Sequence, residues 1–512
     1  MRVGAALLIT SDGEPADQSK VMTRSGGTNP NAVDCSEMSK RASLPLVLLL
    51  LLAAGIGVWH WDQDFDDAFI GYRIAAHIGE GLGWTYNAGE RVNSATSVLW
   101  TVLTALGYRV GGKAPEAARL LSVVALTLLA LASWLLIRPL VSVWTAFAGV
   151  LILITSPLVL RAWGIETILY LALAVFALWI SQADRPRLLG IILGAVILCR
   201  PDGVLLAGII LADQWRRSRR FPWSSVLFTA MLPGVWAAFS LFYFGSPFPN
   251  TLSAKMAQAR SGLWKLGAPW PFSELPGFVI GLGWWIKRLY NWLILMFIGA
   301  LVVPAIVTVR RWPRVLWMLV TWAVLHVIAY SILGVPHYHW YYAPVFPAFS
   351  ALLAWGAFTA SEAAGRRWFM KGPVGVCLFM VLLTHLVLAY TIKPAAGMFT
   401  RETAYRELGL WLGENTPAAA RIAAAEIGVV GYYCKRPMVD IGGLIHEEGP
   451  RYLRQGDRSW WLKVRQPDVI VIHEPVWPIE RPSLEDPRFG QWHDFEFPGY
   501  GKIRLLRRTA SP

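Results

Sequence analysis

The chain has 512 residues, of which 55% are hydrophobic and only 16% are charged. A soluble domain usually carries roughly 25% charged residues, whereas the mean hydropathy here is +0.45. There are also 27 tryptophans, a residue type that favours the interfaces of a bilayer. These figures exclude a disordered chain, a disulfide-rich secreted module and an ordinary soluble enzyme. They predict a protein that crosses a membrane several times.

The basic excess lies in the hydrophobic part of the chain. The formal net charge is +14, and residues 44–392 hold 25 basic and 13 acidic side chains, so they carry nearly all of it. A nucleic-acid-binding protein would instead concentrate its basic residues on a solvated face. Basic residues between apolar runs indicate orientation in the membrane. We therefore expect a bilayer as a partner and no nucleic acid.

Nine apolar runs are long enough to cross about 30 Å of hydrocarbon. They lie at 44–60, 117–137, 142–160, 165–182, 223–244, 288–308, 314–333, 340–360 and 373–391. With a cytoplasmic N-terminus, the main basic clusters between these runs fall on the cytoplasmic side, provided that residues 188–213 enter and leave the membrane on the same side.

The segment 188–213 is apolar except for Arg200-Pro201-Asp202-Gly203 in its middle. Proline removes a backbone donor and disfavours helix in the residue before it, and charges at mid-membrane depth are costly unless they face a cavity. These facts predict a short hairpin with its tip within the protein. The alternative is one kinked span that contains a structural Arg–Asp pair. With the hairpin, the chain has about eleven membrane segments and an exoplasmic C-terminus.

The predicted fold is mainly α, a polytopic membrane protein with a small C-terminal α/β domain. Residues 1–43 are polar and are expected to be a disordered cytoplasmic segment, residues 44–392 form the membrane domain with a first outer loop at 61–115, and residues 393–512 form the exoplasmic domain. Within that last domain, helical periodicity predicts a helix over 402–413. The segments IAAAEIGVVGYY, PDVIVIHEP and KIRLLRR are predicted as short strands.

The first outer loop opens with a run of four acids, Asp62, Asp64, Asp66 and Asp67. Clustered carboxylates repel one another and are tolerated when they are solvated, paired with cations or bound to a metal ion. The simplest explanation is a solvated helix start, where Asp is favoured. The following stretches AFIGYRIAAHI and TSVLWTVLTALGY are amphipathic and are expected to lie along the interface. An acidic pair there would face an active site at the outer membrane surface.

These residues also carry a resemblance. The run DDAFIGYRIA, followed by GLGWTYNAGERV and TSVLW, resembles the first periplasmic loop of bacterial glycosyltransferases of the GT-C superfamily, most closely the branch of the mycobacterial terminal arabinofuranosyltransferases. Agreement continues in order over about residues 45–475, at 164–167, 200–203, 249–255, 339–342 and 426–444. The family commonly has an aromatic residue after the arginine, where this chain has Tyr72-Arg73-Ile74.

The resemblance implies an enzyme that moves a sugar from a polyprenyl-phosphate carrier to a glycan or glycolipid acceptor of the cell envelope. Inverting transfer needs one base for the acceptor hydroxyl, for which the candidates are Asp66 and Asp67. The other carboxylate would position the acceptor or bind a divalent cation, the one cofactor considered. The leaving phosphate needs cations or hydrogen-bond donors; the candidates are Lys255, Arg200, His337 and His339. The candidates for substrate binding are Tyr72, Arg73, Glu166, Asp202, Asn250 and Tyr341.

Each candidate also has a purely structural explanation. Lys255 could be an ordinary loop lysine, Arg200 could pair with Asp202, and Glu166 could cap a helix. His337 and His339 could belong to an aromatic belt, and Asn250 could start a turn after Pro249.

Two rival functions stay open at the level of the sequence. A transporter or flippase of lipid-linked sugars would show inverted repeats and charges near the midplane, and only the Arg200–Asp202 region offers such charges. A membrane scaffold with an outer recruitment domain would leave Asp66 and Asp67 dispensable. The expected location in each case is a bacterial inner membrane.

Overall fold

The computed structural model describes residues 35–63, 65–262, 286–333, 338–363, 372–392 and 400–509. Residues 45–512 form one compact unit, which contains every contact discussed below. Three sequence predictions fall outside the described residues: those for His337, for Asp64 and for most of the segment 1–43.

Apolar helices dominate the chain before the predicted C-terminal domain. The described helices are α1 (Cys35–Trp59), α2 (Asp66–Glu80), α3 (Val98–Gly111), α4 (Ala114–Ile137), α5 (Val143–Ile154), α6 (Pro157–Leu160), α7 (Thr167–Ile180), α8 (Pro186–Cys199), α9 (Gly203–Ser218), α10 (Trp223–Phe244), α11 (Asn250–Arg260), α12 (Ile286–Val307), α13 (Arg314–Leu333), α14 (Phe346–Ala363) and α15 (Pro373–Ile392). Their buried apolar side chains form the larger core of the protein. The mainly helical class is confirmed.

Among the described residues, four helical stretches are long and apolar enough to cross a bilayer, namely α4, α10, α13 and the stretch His339–Ala363. Seven shorter apolar helices accompany them, within α1, α3, α5, α7, α8, α12 and α15. The total of eleven membrane segments stays a prediction.

Two predicted spans are interrupted by proline. The run 142–160 divides into α5 and α6, because Pro157 lacks the backbone donor that a continuous helix would need at that point. The run predicted from residue 340 begins with short 3-10 turns, and its α-helix starts only at Phe346.

The predicted hairpin at 188–213 is present. Helix α8 ends at Cys199, and Arg200 is extended (φ −149°, ψ 131°), as the following proline requires. Arg200 contacts Glu166 and Thr167 at the start of α7. At the far end of α9, Arg217 donates to the Ser181 carbonyl after the end of α7. The chain therefore runs along α7 and returns, which excludes the single kinked span.

The hairpin tip (residues 200–202) is an ion-paired cluster. Arg200 donates through Nε and Nη2 to the Asp202 carboxylate, at 2.9–3.3 Å. Nη1 lies 3.4 Å from Glu166 Oε1 and 3.3 Å from Thr167 Oγ1, and Nη2 lies 2.9 Å from the Tyr330 hydroxyl. All three guanidinium nitrogens thus have protein partners. The Arg–Asp pair considered as the structural explanation for Arg200 is real, and it sits at the tip of the hairpin.

The described tail forms a five-stranded sheet with the strand order β2-β1-β3-β5-β4. The strands are β1 (Ile422–Ala424), β2 (Met438–Asp440), β3 (Val469–Glu474), β4 (Phe489–Phe497) and β5 (Gly501–Arg508), and the helices are α16 (Arg401–Asn415), α17 (Gly428–Cys434), α18 (Gly449–Arg454) and α19 (Trp460–Val464). Strand β1 is parallel to β2 and β3, whereas β5 is antiparallel to β3 and β4. The α/β class of this domain is confirmed.

The predicted elements of the tail are partly right. The helix expected over 402–413 is α16, and the segments PDVIVIHEP and KIRLLRR contain β3 and β5. The strand predicted for IAAAEIGVVGYY is wrong beyond its first residues, because only β1 is extended and the second half is α17. An apolar run that is interrupted by glycines favours neither helix nor strand by itself. Here the packing of α17 against α2 determines that the second half is a helix.

The tail packs directly on the first loop (residues 61–115). The side chain of Asn87 exchanges two hydrogen bonds with the backbone of Met438, at 2.8 and 2.9 Å. Arg73 donates to the Gly431 and Arg436 carbonyls, at 2.6 and 2.8 Å. A Cβ at Gly428 would collide with the backbone carbonyl of Asp66, so glycine is what allows α17 to approach α2 this closely.

We expect Arg200→Met to destabilise the protein strongly, because it leaves the Asp202 charge buried without its partner. Breaking a buried ion pair typically costs about 3–5 kcal/mol. The matched control is Arg216→Met, since Arg216 pairs with Asp213 through a side chain that is 74% exposed and such pairs contribute about 0–1 kcal/mol. Thermal melting in detergent measures both variants. Equal melting temperatures would contradict a structural role for the tip.

Candidate active site

Asp66 links the first loop to the C-terminal domain. It begins α2 and is 1% exposed. Its carboxylate oxygens accept hydrogen bonds from the backbone N–H groups of Val429, at 2.8 Å, and Gly428, at 3.3 Å. These are among the N–H groups that the first turn of α17 leaves without a helical acceptor. Asp66 therefore caps a helix more than 360 residues away.

Glu426 joins this carboxylate from the loop between β1 and α17. It forms a side-chain hydrogen bond with Asp66, and burial followed by the Asp66 charge raises its pKa well above the ordinary value. Glu426 therefore takes up a proton beside Asp66 more readily than a solvated glutamate does. Arg401, at the start of α16, has its Nη1 3.5 Å from Glu426 Oε1, and its charge opposes this rise of the pKa.

Asp67 is half-buried and lines a cavity of about 120 Å³. Other walls come from α2, from the segment after residue 93, from the start of α11 and from Leu444 of the C-terminal domain. Burial is the main cause that raises the pKa of Asp67 to about 6, and Asp66 adds to it, whereas Lys255 and Arg401 oppose it. A carboxylate with that pKa can take up a proton near neutral pH.

Lys255 supplies the positive charge of the cavity. It lies on α11, and its ammonium donates to the Tyr341 hydroxyl at 3.0 Å. The same nitrogen lies 4.8 Å from the ring centre of Tyr338 and 5.7 Å from that of Trp340. Burial disfavours the charge, but Tyr341, Tyr338 and Asp67 outweigh it and raise the pKa of Lys255. The cavity thus holds a protonated amine facing a carboxylate.

The hairpin tip adjoins this cavity through Tyr341. The guanidinium carbon of Arg200 lies 5.7 Å from the Tyr341 ring centre, and His326 bonds the Tyr341 carbonyl at 2.8 Å. Glu166 both lines the cavity and contacts Arg200. It occupies the N-cap position of α7, as the structural explanation expects, but it makes no side-chain cap hydrogen bond. The predicted residues Glu166, Asp202, Arg200 and Tyr341 are therefore neighbours.

His339 lies close to the same region without lining the cavity. Its Nε2 donates to the Arg161 carbonyl at 2.9 Å, and its ring packs against Phe65, which does line the cavity. Its role toward the donor phosphate stays a prediction.

Three predicted substrate-binding residues have their polar groups engaged in the protein. The Tyr72 hydroxyl donates to the Gly164 carbonyl at 2.8 Å, and Arg73 holds the backbone of the tail. The Asn250 amide lies 2.9–3.2 Å from three carbonyls of the loop after β2. These contacts hold the walls of the site together, and the role of the three residues in substrate binding stays a prediction.

The structure adds residues that the sequence analysis missed. Glu426 and Arg401 belong to the carboxylate cluster, and Ser94 and Thr251 line the cavity beside Asp67. Glu426 stands in the segment EIGVVGYY, for which the sequence indicates a strand and a family resemblance but no site residue. Nothing in local periodicity connects residue 426 with residue 66; only the docking of α17 does.

Comparison with known proteins covers both parts of the chain. Residues 393–509 match a family described as a domain of unknown function, DUF8728. The chain is 31% identical over 231 residues to a terminal beta-(1->2)-arabinofuranosyltransferase of Mycobacterium tuberculosis (strain ATCC 25618 / H37Rv), and the match covers 40% of this chain and 36% of that protein. The chain therefore spans about a third of the length of this curated relative. The predicted resemblance to this branch is confirmed.

Two solved structures share the overall fold. They are ArnT from Cupriavidus metallidurans in the apo state, with a TM-score of 0.54, and ArnT bound to undecaprenyl phosphate, with a TM-score of 0.57. Each is 15% identical to this chain and covers 91% of it, and the chain covers 98% of each. The ArnT-like polytopic fold extends over nearly the whole chain, and the protein is a membrane protein.

Proposed function

We propose that this protein is a GT-C glycosyltransferase that transfers a sugar from a polyprenyl-phosphate-linked donor to a cell-envelope glycan or glycolipid. The observation that carries the proposal is the placement of Asp67 and Lys255 in one cavity under the first loop of an ArnT-like fold. The relative named as an arabinofuranosyltransferase supports glycosyl transfer, and the ArnT complex with undecaprenyl phosphate supports a polyprenyl-phosphate carrier.

The proposed setting is a bacterial inner membrane, with the N-terminus in the cytoplasm and the C-terminal domain on the exoplasmic side. The distribution of basic residues between the apolar runs supports this orientation. The hairpin supports it further, because it puts residues 200–202 at the same end of α7 as Glu166, next to the cavity.

Asp67 is the base in this proposal. Asp66 is already bonded to two backbone N–H groups and to Glu426, whereas Asp67 lines the cavity where a substrate would lie. The acceptor hydroxyl loses its proton to Asp67 as its oxygen bonds to the anomeric carbon, and the bond from that carbon to the phosphate oxygen breaks. Asp66 positions its neighbour by fixing the start of α2.

Lys255 stabilises the leaving polyprenyl phosphate. Negative charge grows on the phosphate oxygen as the glycosidic bond breaks, and a preorganised cation favours that state. Arg200 acts indirectly in this scheme, since Asp202, Glu166, Thr167 and Tyr330 already contact its guanidinium group. It keeps Tyr341, and through Tyr341 the ammonium of Lys255, in place.

We expect Asp67→Asn to lower the turnover number by roughly 10²–10⁴-fold, the usual contribution of a general base. The matched control is Asp62→Asn, which removes an exposed carboxylate from the same loop and should leave the rate unchanged. The measurement is release of polyprenyl phosphate from a polyprenyl-phosphate sugar by purified protein with acceptor. A folded Asp67→Asn protein with full activity would rule out Asp67 as the base, whereas wild-type protein that releases no polyprenyl phosphate would favour a flippase or a scaffold.

The pH profile offers a second test. Because Asp67 must be unprotonated to act, the rate should rise as pH passes through about 6 and then level off. Lys255 opposes the raised pKa of Asp67, so Lys255→Met should move this rise to higher pH as well as slow the reaction. Arg260→Gln, at an exposed arginine on the same helix, should leave the profile where it is. If the rate of Lys255→Met rises at the same pH as the rate of the wild type, the proposed coupling between Lys255 and Asp67 is wrong.

A divalent cation is the other way to hold the carboxylates together. Asp66, Asp67 and Glu426 offer ligand atoms that lie within 4.8 Å of one another, and carboxylate oxygens suit Mg²⁺ or Ca²⁺. Arg401 and Lys255 already balance much of their charge. We therefore expect transfer to persist after EDTA treatment and dialysis. Loss of activity that Mg²⁺ or Mn²⁺ restores would instead assign this cluster as a metal site.

A further inference from the structure

A second and larger cavity lies on the other side of α2 from Asp67. Its volume is about 940 Å³, and it shares no residue with the cavity around Asp67. Asp67 and Ile74 of α2 line the smaller cavity, whereas Arg73 and His77 of the same helix line the larger one. The remaining walls of this second cavity come from the corner between α3 and α4 and from α16 and α17 of the C-terminal domain.

Basic side chains outnumber acidic ones in the second cavity. Five lysines and arginines line it, together with two glutamates. Glu116 is paired with Lys113 at 2.8 Å, and Glu80 accepts a hydrogen bond from the Tyr108 hydroxyl at 2.6 Å. Both acids of the cavity therefore already have partners within its wall.

Two cations of the C-terminal domain stay unbalanced in this cavity. The guanidinium carbon of Arg406, on α16, lies 5.2 Å from the ring centre of Tyr433, and Lys435 directly follows α17. Both cations are exposed, and among the described residues no carboxylate pairs with either of them. Unbalanced cations in a recess attract an anion.

The start of α4 indicates where the second cavity lies relative to the bilayer. Lys113 precedes α4, and Glu116 and Arg119 stand in its first two turns. This helix is long and apolar enough to cross a bilayer, and the end of such a helix lies at the level of the lipid headgroups. The cavity therefore opens near the membrane surface.

Helix α3 gives the same position independently. Val102, Leu106 and Val110 recur every fourth residue, so they share one face of α3, and all three are exposed, Val110 to 92%. Tyr108 of the same helix lines the cavity. A helix with an exposed apolar face lies in the plane of the interface with that face in lipid. The unbalanced cations thus adjoin a surface that suits acyl chains.

We propose that the second cavity binds the headgroup of an anionic lipid of the surrounding bilayer. The phosphate of the headgroup is held by Arg406 and Lys435, and its acyl chains lie along the exposed face of α3. The volume of the cavity far exceeds that of a single phosphate, which favours a whole headgroup over a free anion. A lipid bound there joins the first loop to the C-terminal domain. This inference does not depend on glycosyl transfer, because the two cavities share no residue.

The test compares two lipids with identical acyl chains, phosphatidylglycerol with a net negative charge and phosphatidylcholine with none. Purified full-length protein in detergent is titrated with each lipid. A ligand that binds the folded state raises the melting temperature, so the shift in Tm measures the apparent affinity. We expect phosphatidylglycerol to raise Tm more than phosphatidylcholine does. Equal shifts would overturn the proposal.

The cavity variant combines Arg406→Gln with Lys435→Asn. Asparagine is chosen because residue 435 has a φ of 53°, a left-handed conformation that asparagine tolerates. We expect the affinity for phosphatidylglycerol to fall about 5-fold for each cation removed. The matched control combines Arg451→Gln with Arg454→Gln, two exposed arginines of α18 outside the cavity, and should bind like the wild type. A cavity variant that keeps the wild-type preference for phosphatidylglycerol would contradict the assignment.

Three further probes distinguish the bilayer lipid from other anions. Displacement of phosphatidylglycerol by an equal concentration of inorganic phosphate would assign a free anion. Binding of polyprenyl phosphate in preference to phosphatidylglycerol would assign the carrier lipid, and binding of oligogalacturonate in its place would assign an anionic glycan. Each of these results overturns the proposal. Release of polyprenyl phosphate is measured separately, so a protein that prefers phosphatidylglycerol but transfers no sugar would overturn only the proposed function.

Discussion

The contact between the Asp66 carboxylate and the first turn of α17 is the interaction on which the candidate site depends. It joins the first loop to the C-terminal domain through two backbone N–H groups. Glu426 stands two residues before Gly428, so fixing α17 also fixes Glu426 against Asp66. The position of Asp67 follows in the same way, since it is the next residue of α2. Asp66 thus fixes the geometry of the site, and in the proposed mechanism its neighbour Asp67 is the base.

The sheet explains why this edge of the tail meets the membrane domain. Strands β1, β2 and β3 are parallel, and loops at the carboxyl ends of parallel strands are where sites in α/β sheets form. Here the loop after β1 supplies Glu426, and the loop after β2 supplies Leu444 and the carbonyls that hold Asn250. The helices supply Asp67 and Lys255 from the other side. Neither the C-terminal domain nor the membrane domain forms the cavity by itself.

Sequence reasoning reached the parts that local chemistry determines. The charges of the loops and Pro201 were enough to predict the hairpin, because both act on residues nearby. The acidic run in turn indicated Asp66 and Asp67 as site residues. Sequence reasoning failed where contacts between residues far apart in the chain determine the structure. The helix α17 was taken for a strand because its cap is a side chain from the first loop. The ion pair between Glu166 and Arg200 was not foreseen, because the two residues lie 34 positions apart in the chain. Ser94 and Thr251 carry no local signal at all.

The exchange of hydrogen bonds between Asn87 and Met438, together with the Asp66 cap, has a consequence for biosynthesis. The ribosome makes the residues of the first loop several hundred residues before their partners in the C-terminal domain. Until the tail is translated and folded, α2 has no partner for Asp66 and the cavity has no wall at Leu444. A nascent or truncated chain that lacks the C-terminal domain would insert its helices and yet leave the candidate site incomplete.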